Sequence, residues 1–367
     1  MKRDVPPSIC LVGPLPPPSG GMANQTRQLA RLLGEAGLAV ELVQVNRPLH
    51  PAWLDRLRWL RALLRLMPYL VRLWRSAGRA DLMHLMANSG WAWHLYAAPA
   101  VWIASARGVP AIVNYRGGEA CSFMARQAAW VRPTLKRAFA VIVPSGFLEA
   151  VFRRHDVPAE IVPNIIDLSR FRPDPTRPAG RHLIVTRNLE DIYDIGTALR
   201  AFFRIGRTFP DATLTVAGSG PQLPELQRLA AELGVTDRVR FTGRLDNEEI
   251  AALYRQADLV LNPSTADNMP ISLLEGMASG VPIVSTDVGG IPFLVEHRRT
   301  AMLVPPRDPE RMAAAAIEVM STPALARQLA TAGIELVRRF TWDEVRPALF
   351  AVYARALGVS SLRECST

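Results

Sequence analysis

The sequence predicts an α/β protein made of two doubly wound domains. Its 367 residues exceed what one ordinary hydrophobic core holds and suit two domains of roughly 150–200 residues each. Short apolar runs alternate with amphipathic segments of helical period along the whole chain, which favours parallel sheets covered by helices. An apolar share of 49% and a charged share of 21% are those of a folded globular protein.

The first half opens with a predicted strand, a loop rich in glycine and proline, and a helix. The strand covers residues 8–12 and the helix about 22–36, and further buried strands are predicted at 40–45, 81–86, 110–115 and 140–144. Residues 82–106 contain no charged side chain and are long enough to cross a bilayer. Because His84, Asn88, His94 and Pro99 lie among them, we interpret them as strand, loop and helix instead.

The second half repeats this alternation. Strands are predicted at 182–186, 213–217, 239–242, 259–262, 282–285 and 301–304. Asp246 with Glu249 has the spacing of a helix capping box, and Asp308 before Pro309 predicts another helix start. A proline-rich stretch at 171–178 marks the predicted boundary, which gives an N-terminal domain at 1–170, a second domain at 171–345 and a C-terminal helix and tail at 346–367 that packs back on the first domain.

The distribution of charge and the cysteine content indicate which partners the protein could bind and in which compartment it is expected. Residues 1–180 hold 23 Lys/Arg and 11 Asp/Glu, a net of +12, whereas residues 181–367 hold 20 and 22, a net of −2, and the two sum to +10. A basic half suits nucleic acid, an anionic membrane or an anionic substrate. Cys10, Cys121 and Cys365 fit neither a disulfide framework nor a zinc site. With no signal peptide recognised at the start, a reduced cytoplasmic protein is expected.

Two segments carry candidate chemistry. In the loop at 13–23, Gly20 and Gly21 stand between a strand and a helix, where adjacent glycines let backbone N–H groups approach an anion. The sequence matches neither a dinucleotide fingerprint nor a P-loop, so a simple tight turn is the alternative. The second segment, 264–286, reads strand, polar loop, helix and strand, with Asp267 in the loop and Glu275 in the helix.

That helix start suits a diphosphate. Its first N–H groups and its dipole favour an anion, whereas two nearby carboxylates would repel one unless they accept hydrogen bonds from hydroxyl groups. The segment therefore predicts a ligand that carries both a diphosphate and hydroxyls.

At this point the sequence resembles a known family, the retaining GT4 (group 1) glycosyltransferases with the GT-B fold. Residues 264–286 are similar to the family's donor-binding signature of two glutamates with seven residues between them. Further similar segments follow in the family's order along nearly the whole chain: 20–23, 143–145, 163–167, 171–173, 217–221, 241–243 and 254–258.

The resemblance implies two Rossmann-like domains with the donor in an interdomain cleft. It implies that the donor is a UDP- or GDP-sugar and that Glu275 accepts hydrogen bonds from the hydroxyl groups of its ribose. It also implies that Arg187 binds phosphate and that Arg187, Asp267 and Arg116 are catalytic. Other implied donor contacts come from Gly20, Gly21, Gly243, Asn268, Met269, Pro270 and Ile271. No cofactor or metal is expected, since no Asp-x-Asp motif occurs.

Three positions depart from the family's pattern. The first glutamate of the signature is Asp267, the usual lysine after the arginine is Tyr193, and Arg116 stands where many members have histidine. These changes leave one fewer cation for the leaving diphosphate unless an arginine such as Arg116 supplies it. The same three changes would also be expected in a relative of the family that has lost its activity.

A basic amphipathic segment lies at 53–79. Seven arginines occur there against Asp55 alone. Six of them follow helical spacing beside an apolar arc with Trp59 and Trp74, and Pro68 is expected to interrupt the helix. Such a helix either binds an anionic membrane surface or packs its apolar side on the core and exposes its basic edge to solvent.

The sequence thus favours transfer of a hexose-like sugar from a nucleotide diphosphate donor to a glycan or lipid-linked acceptor in bacterial surface or exopolysaccharide synthesis. The expected location is cytoplasmic and peripheral on the inner face of the plasma membrane. A nucleotide-sugar epimerase and a non-catalytic sugar-nucleotide-binding partner are the alternatives. A nucleic-acid binder is disfavoured because no reading motif accompanies the charge.

Overall fold

The computed structural model describes residues 6–17, 20–47, 60–176, 180–360 and 362, with side chains at 60–64 left out. The chain divides into two compact units, one formed by the described residues up to Pro163 together with those from Val345 onward, the other by Asn164–Glu344. Each unit contains one six-stranded sheet in which all the pairings between named strands are parallel.

The first unit is an open sheet with helices between its strands. Its strands are β1 Ser8–Gly13, β2 Ala39–Gln44, β3 Leu82–Ala87, β4 Ala111–Tyr115, β5 Ala140–Val143 and β6 Glu160–Ile161. Its helices are α1 Gly21–Glu35, α2 Leu60–Ala77, α3 Ala98–Ala106, α4 Ala120–Leu135 and α5 Gly146–Arg153, with a π-helical turn at Trp93–Ala97 before α3. The strand order is β2-β1-β3-β4-β5-β6, so the chain reverses direction across the sheet between β1 and β3.

The second unit has the order of a dinucleotide-binding sheet, β12-β11-β10-β7-β8-β9. Its strands are β7 His182–Val185, β8 Thr213–Ala217, β9 Val239–Gly243, β10 Leu259–Asn262, β11 Ile283–Thr286 and β12 Met302–Val304. Its helices are α6 Ile195–Thr208, α7 Leu223–Glu232, α8 Asn247–Gln256, α9 Ile271–Ala278, α10 Ile291–Leu294, α11 Pro309–Ser321 and α12 Pro323–Val337. Helix α13 Trp342–Leu357 follows and lies mostly in the first unit.

The predicted α/β class and the two doubly wound sheets are confirmed. Strands from the sequence pattern agree with the structure to within one or two residues, and Asp246 and Glu249 form the predicted capping box at the start of α8. Residues 82–106 fold as β3, the π-helical turn and α3. Within the described ranges, no helix is both long enough and apolar enough to cross a bilayer.

One prediction about the basic segment is wrong. Pro68 does not interrupt its helix, because α2 runs from Leu60 to Ala77 with Pro68 inside it. Proline removes one backbone hydrogen bond, and tertiary burial offsets that cost here. Tyr69 and Leu73 are both buried in the core of the first unit. Residues 53–59 of the predicted segment lie outside the described ranges.

Candidate functional site

The strand order of the second unit reverses between β7 and β10, and the predicted site residues follow these two strands. Arg187 comes two residues after β7, and Asp267 lies in the loop between β10 and α9. Open parallel sheets leave a crevice at the carboxyl ends of the strands where the order reverses, and ligands bind there. The topology therefore brings Arg187 and Asp267 to the same edge of the sheet.

Arg187 is held by three neighbours. Its Nη2 donates to Asp267 Oδ2 in an ion pair, its Nη1 lies 3.2 Å from Ser272 Oγ, and the guanidinium carbon lies 4.1 Å from the ring centroid of Tyr193. Both charged side chains are nearly buried, at 11% and 12% exposure. Its Nε is buried and has no acceptor among the described residues. The side chain is thus fixed in place by these three neighbours.

Burial and pairing act together on this ion pair. Burial raises the pKa of Asp267, and the Arg187 guanidinium and the backbone N–H of Asn268 offset part of that rise. Burial lowers the pKa of Arg187, but Asp267 acting together with Tyr193, Tyr254 and Glu275 outweighs it, so the net pKa is raised. The guanidinium therefore stays charged, as a phosphate ligand must.

The loop that carries Asp267 leads directly into helix α9. Asn268 donates its backbone N–H to Asp267 Oδ1 at 2.9 Å, and Asn268 and Met269 are buried. Pro270 precedes the helix, which begins at Ile271 without a side-chain cap. The first N–H groups of a helix have no intrahelical acceptor and form its positive end. The start of α9 can therefore donate to an anion beside Arg187.

Glu275 lies in the second turn of α9 and belongs to a hydrogen-bonded cluster around Tyr254. The Tyr254 hydroxyl lies 2.6 Å from Thr186 Oγ1 and donates to the carbonyl oxygen of Ser272 at 2.9 Å. Burial raises the pKa of Glu275 to about 8, while Tyr254 and Arg187 act in the opposite direction. A half-buried carboxyl group with a raised pKa near a cation is typical of a ligand site.

Four glycines shape the loops of this site, and the sequence did not identify their role. A Cβ at Gly289 or Gly290 would stand 2.1 Å from the carbonyl oxygen of Asp267 or 1.9 Å from that of Asn268. Likewise, a Cβ at Gly218 would stand 1.9 Å from the carbonyl oxygen of Arg187, and Gly220 packs in the same way on Leu189. The site loops are thus clamped by backbone contacts that leave no room for a side chain.

Substitution of Gly290 by alanine is expected to destabilise the protein by about 1–3 kcal/mol, because the new methyl group collides with backbone that cannot rotate away. Urea unfolding measures the change. Gly34→Ala is the matched control, since nothing lies within 4 Å of its Cβ position in α1. The control should be neutral or more stable by about 0.5–1 kcal/mol. Equal stability of the two variants would contradict the clamp.

Gly243 lies at the same edge of the sheet, at the end of β9. Its φ of +70° is a conformation that favours glycine, and its carbonyl oxygen accepts from the N–H of Gly218 at 2.9 Å. Strand β8 separates β9 from β7, and Gly218 contacts the carbonyl groups of both Gly243 and Arg187. A ligand that reaches from α9 to Gly243 would have to cross the ends of β7 and β8.

In the first unit, Gly20 and Gly21 stand at the start of α1. Gly20 is extended, Gly21 is the first helical residue, and the space at both Cβ positions is open. Arg116 follows β4 and reaches the first turns of α1, with its Nη1 3.3 Å from Gln25 Oε1. The structure thus places Arg116 beside the second turn of α1, one turn after Gly20 and Gly21.

Arg116 begins a buried polar chain that the sequence did not predict. Its Nε donates to Asn114 Oδ1 at 3.0 Å, Asn114 Nδ2 lies 3.0 Å from His84 Nε2, and His84 Nδ1 lies 2.7 Å from the Tyr353 hydroxyl. Burial, with help from the charge of Arg116, lowers the pKa of His84 to about 3, so the imidazole is neutral at physiological pH. Burial also lowers the pKa of Arg116, to about 10, which leaves it charged.

The described residues contain no cluster of three or more His, Cys, Asp or Glu side chains that could hold a metal ion. In the second unit, the structure gathers Arg187, Asp267, Asn268 and the start of α9, with Glu275 further along that helix. The sequence predicted the backbone N–H groups from Asn268 to Ser272, but it missed the Tyr254 hydroxyl and the hydroxyl and carbonyl groups of Ser272. Their hydrogen bonds depend on how α8 and α9 pack, and sequence spacing carries no signal for that.

Comparisons with known proteins show which family this chain is similar to. A family model described as "Glycosyltransferase Family 4" matches residues 19–170, and one described as "Glycosyl transferases group 1" matches residues 180–322. The glycogen synthase of Mycobacterium tuberculosis is 30% identical over 281 residues, which cover 71% of this chain and 67% of that protein.

Other relatives match over a smaller share of their length. A GDP-mannose-dependent alpha-(1-6)-phosphatidylinositol monomannoside mannosyltransferase of Mycobacterium tuberculosis is 32% identical over 213 residues, 52% of this chain and 54% of that protein. A D-inositol 3-phosphate glycosyltransferase of Segniliparus rotundus is 28% identical over 228 residues, 59% of this chain and 51% of that protein.

Solved structures give the fold. The sucrose-phosphate synthase of Thermosynechococcus elongatus superposes with a TM-score of 0.75 at 23% identity, covering 96% of this chain and 99% of that one. Anabaena HepE in complex with UDP-glucose superposes with a TM-score of 0.72 at 16% identity, covering 95% of this chain and 99% of that one. The chain therefore belongs to the group 1, family 4 glycosyltransferases of GT-B fold, enzymes that transfer a sugar from a nucleotide-sugar donor.

Proposed function

We propose that this protein is a retaining transferase that moves a hexose-like unit from a UDP- or GDP-sugar to a hydroxyl of a glycan or lipid-linked glycan, in bacterial surface or exopolysaccharide synthesis. The observation that carries the proposal is the position of Arg187, fixed between Asp267, Ser272 and Tyr193 next to the uncapped start of α9. A fixed cation and a helix start together bind a diphosphate.

The contacts of the second unit suggest one role for each group. Arg187 and the N–H groups from Asn268 to Ser272 stabilise the charge that develops on the leaving diphosphate. Glu275 accepts hydrogen bonds from the donor ribose, and Asp267 meets the transferred sugar. Such catalysis is mainly positioning and electrostatic stabilisation. With no side chain assigned as general base, a donor phosphate oxygen takes the acceptor proton.

In the first unit, we assign Arg116, Gly20 and Gly21 to the diphosphate and the acceptor. The Arg116 guanidinium beside the start of α1 suits an anionic group. The donor classes are supported by the relatives, of which one is named as GDP-mannose-dependent and one structure contains UDP-glucose. Transfer to lipid-linked acceptors is supported by the phosphatidylinositol named for the same mannosyltransferase.

Incubation of the protein with UDP- and GDP-hexoses and with glycan and lipid acceptor extracts tests the proposal. We expect release of nucleoside diphosphate that depends on both donor and acceptor, with the sugar found in the acceptor. A changed sugar on an intact donor would instead indicate an epimerase. Nucleotide-dependent stabilisation without any turnover would indicate a non-catalytic binding partner.

Tyr193 offers a test of how Arg187 is positioned. Loss of the aromatic ring in Tyr193→Leu should lower turnover by about 2- to 30-fold, because a cation–π contact of this kind contributes about 0.5–2 kcal/mol. Tyr193→Phe keeps the ring face and should stay near the wild type. Steady-state kinetics of both variants, with their melting temperatures, measure this. Equal turnover of the leucine variant and the wild type would show that the ring does not position Arg187.

A further inference from the structure

Three helices of the first unit form one basic, aromatic surface. Helices α2, α3 and α4 pack in sequence, α2 on α3 and α3 on α4, over the same hydrophobic core. Each presents an exposed tryptophan: Trp74 at 46% exposure, Trp102 at 45% and Trp130 at 80%. Exposed tryptophans on three adjacent helices are more than the scattered apolar residues of an ordinary surface.

Arginines from the neighbouring helices stack on two of these tryptophans, Trp74 and Trp102. The Arg107 guanidinium, after the end of α3, lies 5.0 Å from the ring centroid of Trp74 on α2. The Arg137 guanidinium, after the end of α4, lies 3.8 Å from the ring centroid of Trp102 on α3. Trp102 Nε1 also donates to Thr134 Oγ1 on α4 at 3.0 Å. We call the surface formed by Trp74, Trp102, Trp130, Arg107 and Arg137 the aromatic–arginine face.

The aromatic–arginine face carries a one-sided charge. Helices α2, α3 and α4 contain no aspartate or glutamate over their described lengths. The acidic groups that pair with this layer lie at its borders, where Glu41 meets Arg79 and Asp156 meets Arg132. More basic residues, such as Arg75 and Lys136, are exposed beside the face. An anion-rich surface complements this distribution.

We propose that the aromatic–arginine face docks on an anionic lipid surface. Tryptophan rings prefer the boundary between headgroups and acyl chains, and arginines stacked on them meet lipid phosphates with their free edges. The charge argues against an ordinary protein partner, whose surface mixes both signs. The proposal extends the basic helix to three helices and is independent of the proposed reaction, because lipid binding needs neither donor nor acceptor.

Co-sedimentation of the full chain with vesicles tests the docking. The protein should bind vesicles of phosphatidylglycerol mixed with phosphatidylcholine and not vesicles of phosphatidylcholine alone. Binding should weaken between ~0.1 M and ~1 M NaCl, over which the Debye length falls from about 10 to about 3 Å. Equal binding to both vesicle types, or none to either, would overturn the proposal.

Two variants identify the face itself. Trp130→Ser should lower the partition coefficient for vesicles by about tenfold or more. Because the Trp130 side chain is highly exposed, this substitution should leave the protein folded. Arg107→Gln with Arg137→Gln should lower it by roughly 25-fold, at roughly fivefold per cation near an anionic surface. Melting curves check that the double variant is folded.

Matched controls come from the second unit. Phe293→Ser removes another exposed apolar side chain, at 62% exposure, and Arg299→Gln with Arg311→Gln removes two exposed arginines. Both controls should bind vesicles like the wild type. Equal losses in the controls and the face variants would overturn the proposal by showing a nonspecific effect of charge or hydrophobicity. A concentration-dependent dimer that Trp130→Ser abolishes, without vesicle binding, would assign the face to a second copy instead.

Discussion

Replacement of Arg187 by alanine is expected to lower turnover by about 10²–10³-fold, the usual loss when one fixed donor to a developing negative charge is removed. Donor affinity should fall less than turnover, because the guanidinium is pre-positioned for the charge on the leaving group. The fixed geometry is seen in its contacts with Asp267, Ser272 and Tyr193. Steady-state kinetics with calorimetry of nucleotide binding separate the two effects.

A matched double variant separates chemistry from folding. Arg187→Ala alone leaves the nearly buried Asp267 without its cation, which costs stability. Adding Asp267→Asn removes that unpaired charge, so the melting temperature should recover while turnover stays low. If turnover of Arg187→Ala stays within a factor of two of the wild type, the phosphate contact lies elsewhere, and Arg116 becomes the next candidate.

Glu275→Gln is expected to weaken nucleotide binding by about 1–3 kcal/mol, or roughly 5- to 150-fold, because a neutral amide accepts a ribose hydroxyl less strongly than a carboxylate. The effect depends on pH. Burial raises the pKa of Glu275 to about 8. Since the ligand favours the carboxylate, wild-type affinity should rise with pH up to about 8 more steeply than that of the variant. Unchanged affinity in a folded variant would remove Glu275 from the site.

The same substitution has an opposite effect on the unliganded fold. The pKa of Glu275 is about 8 in the folded protein against an ordinary value of 4.5, so the folded state binds more protons between these values. The free energy of unfolding therefore falls as pH rises through this window and levels off above about 8. Glu275→Gln should remove that dependence and be more stable than the wild type at alkaline pH. Denaturant unfolding at pH 5 and pH 9 measures this difference.

Local pattern predicted the elements and the approximate positions of the site residues. Strand lengths follow from β-branched runs, and the capping box at Asp246 and Glu249 follows from side chains that bond to their own backbone. Asp267 lies in a loop and Glu275 in a helix, as predicted, because Pro270 and the apolar run after it start α9. The prediction that Pro68 interrupts its helix was wrong because burial of neighbouring residues outweighed the local tendency of proline to break a helix.

The sequence by itself determined the α/β class and the two sheets, because hydrophobic period and caps are properties of the chain. It also predicted the segment that we propose to bind the donor. Only the tertiary structure decided that Gly290 and Gly218 clamp the site loops and that Tyr254 supports α9. It also decided that Trp74, Trp102 and Trp130 lie on neighbouring helices. These contacts join residues far apart in the chain, and they form only when strand order and helix packing bring their backbones together.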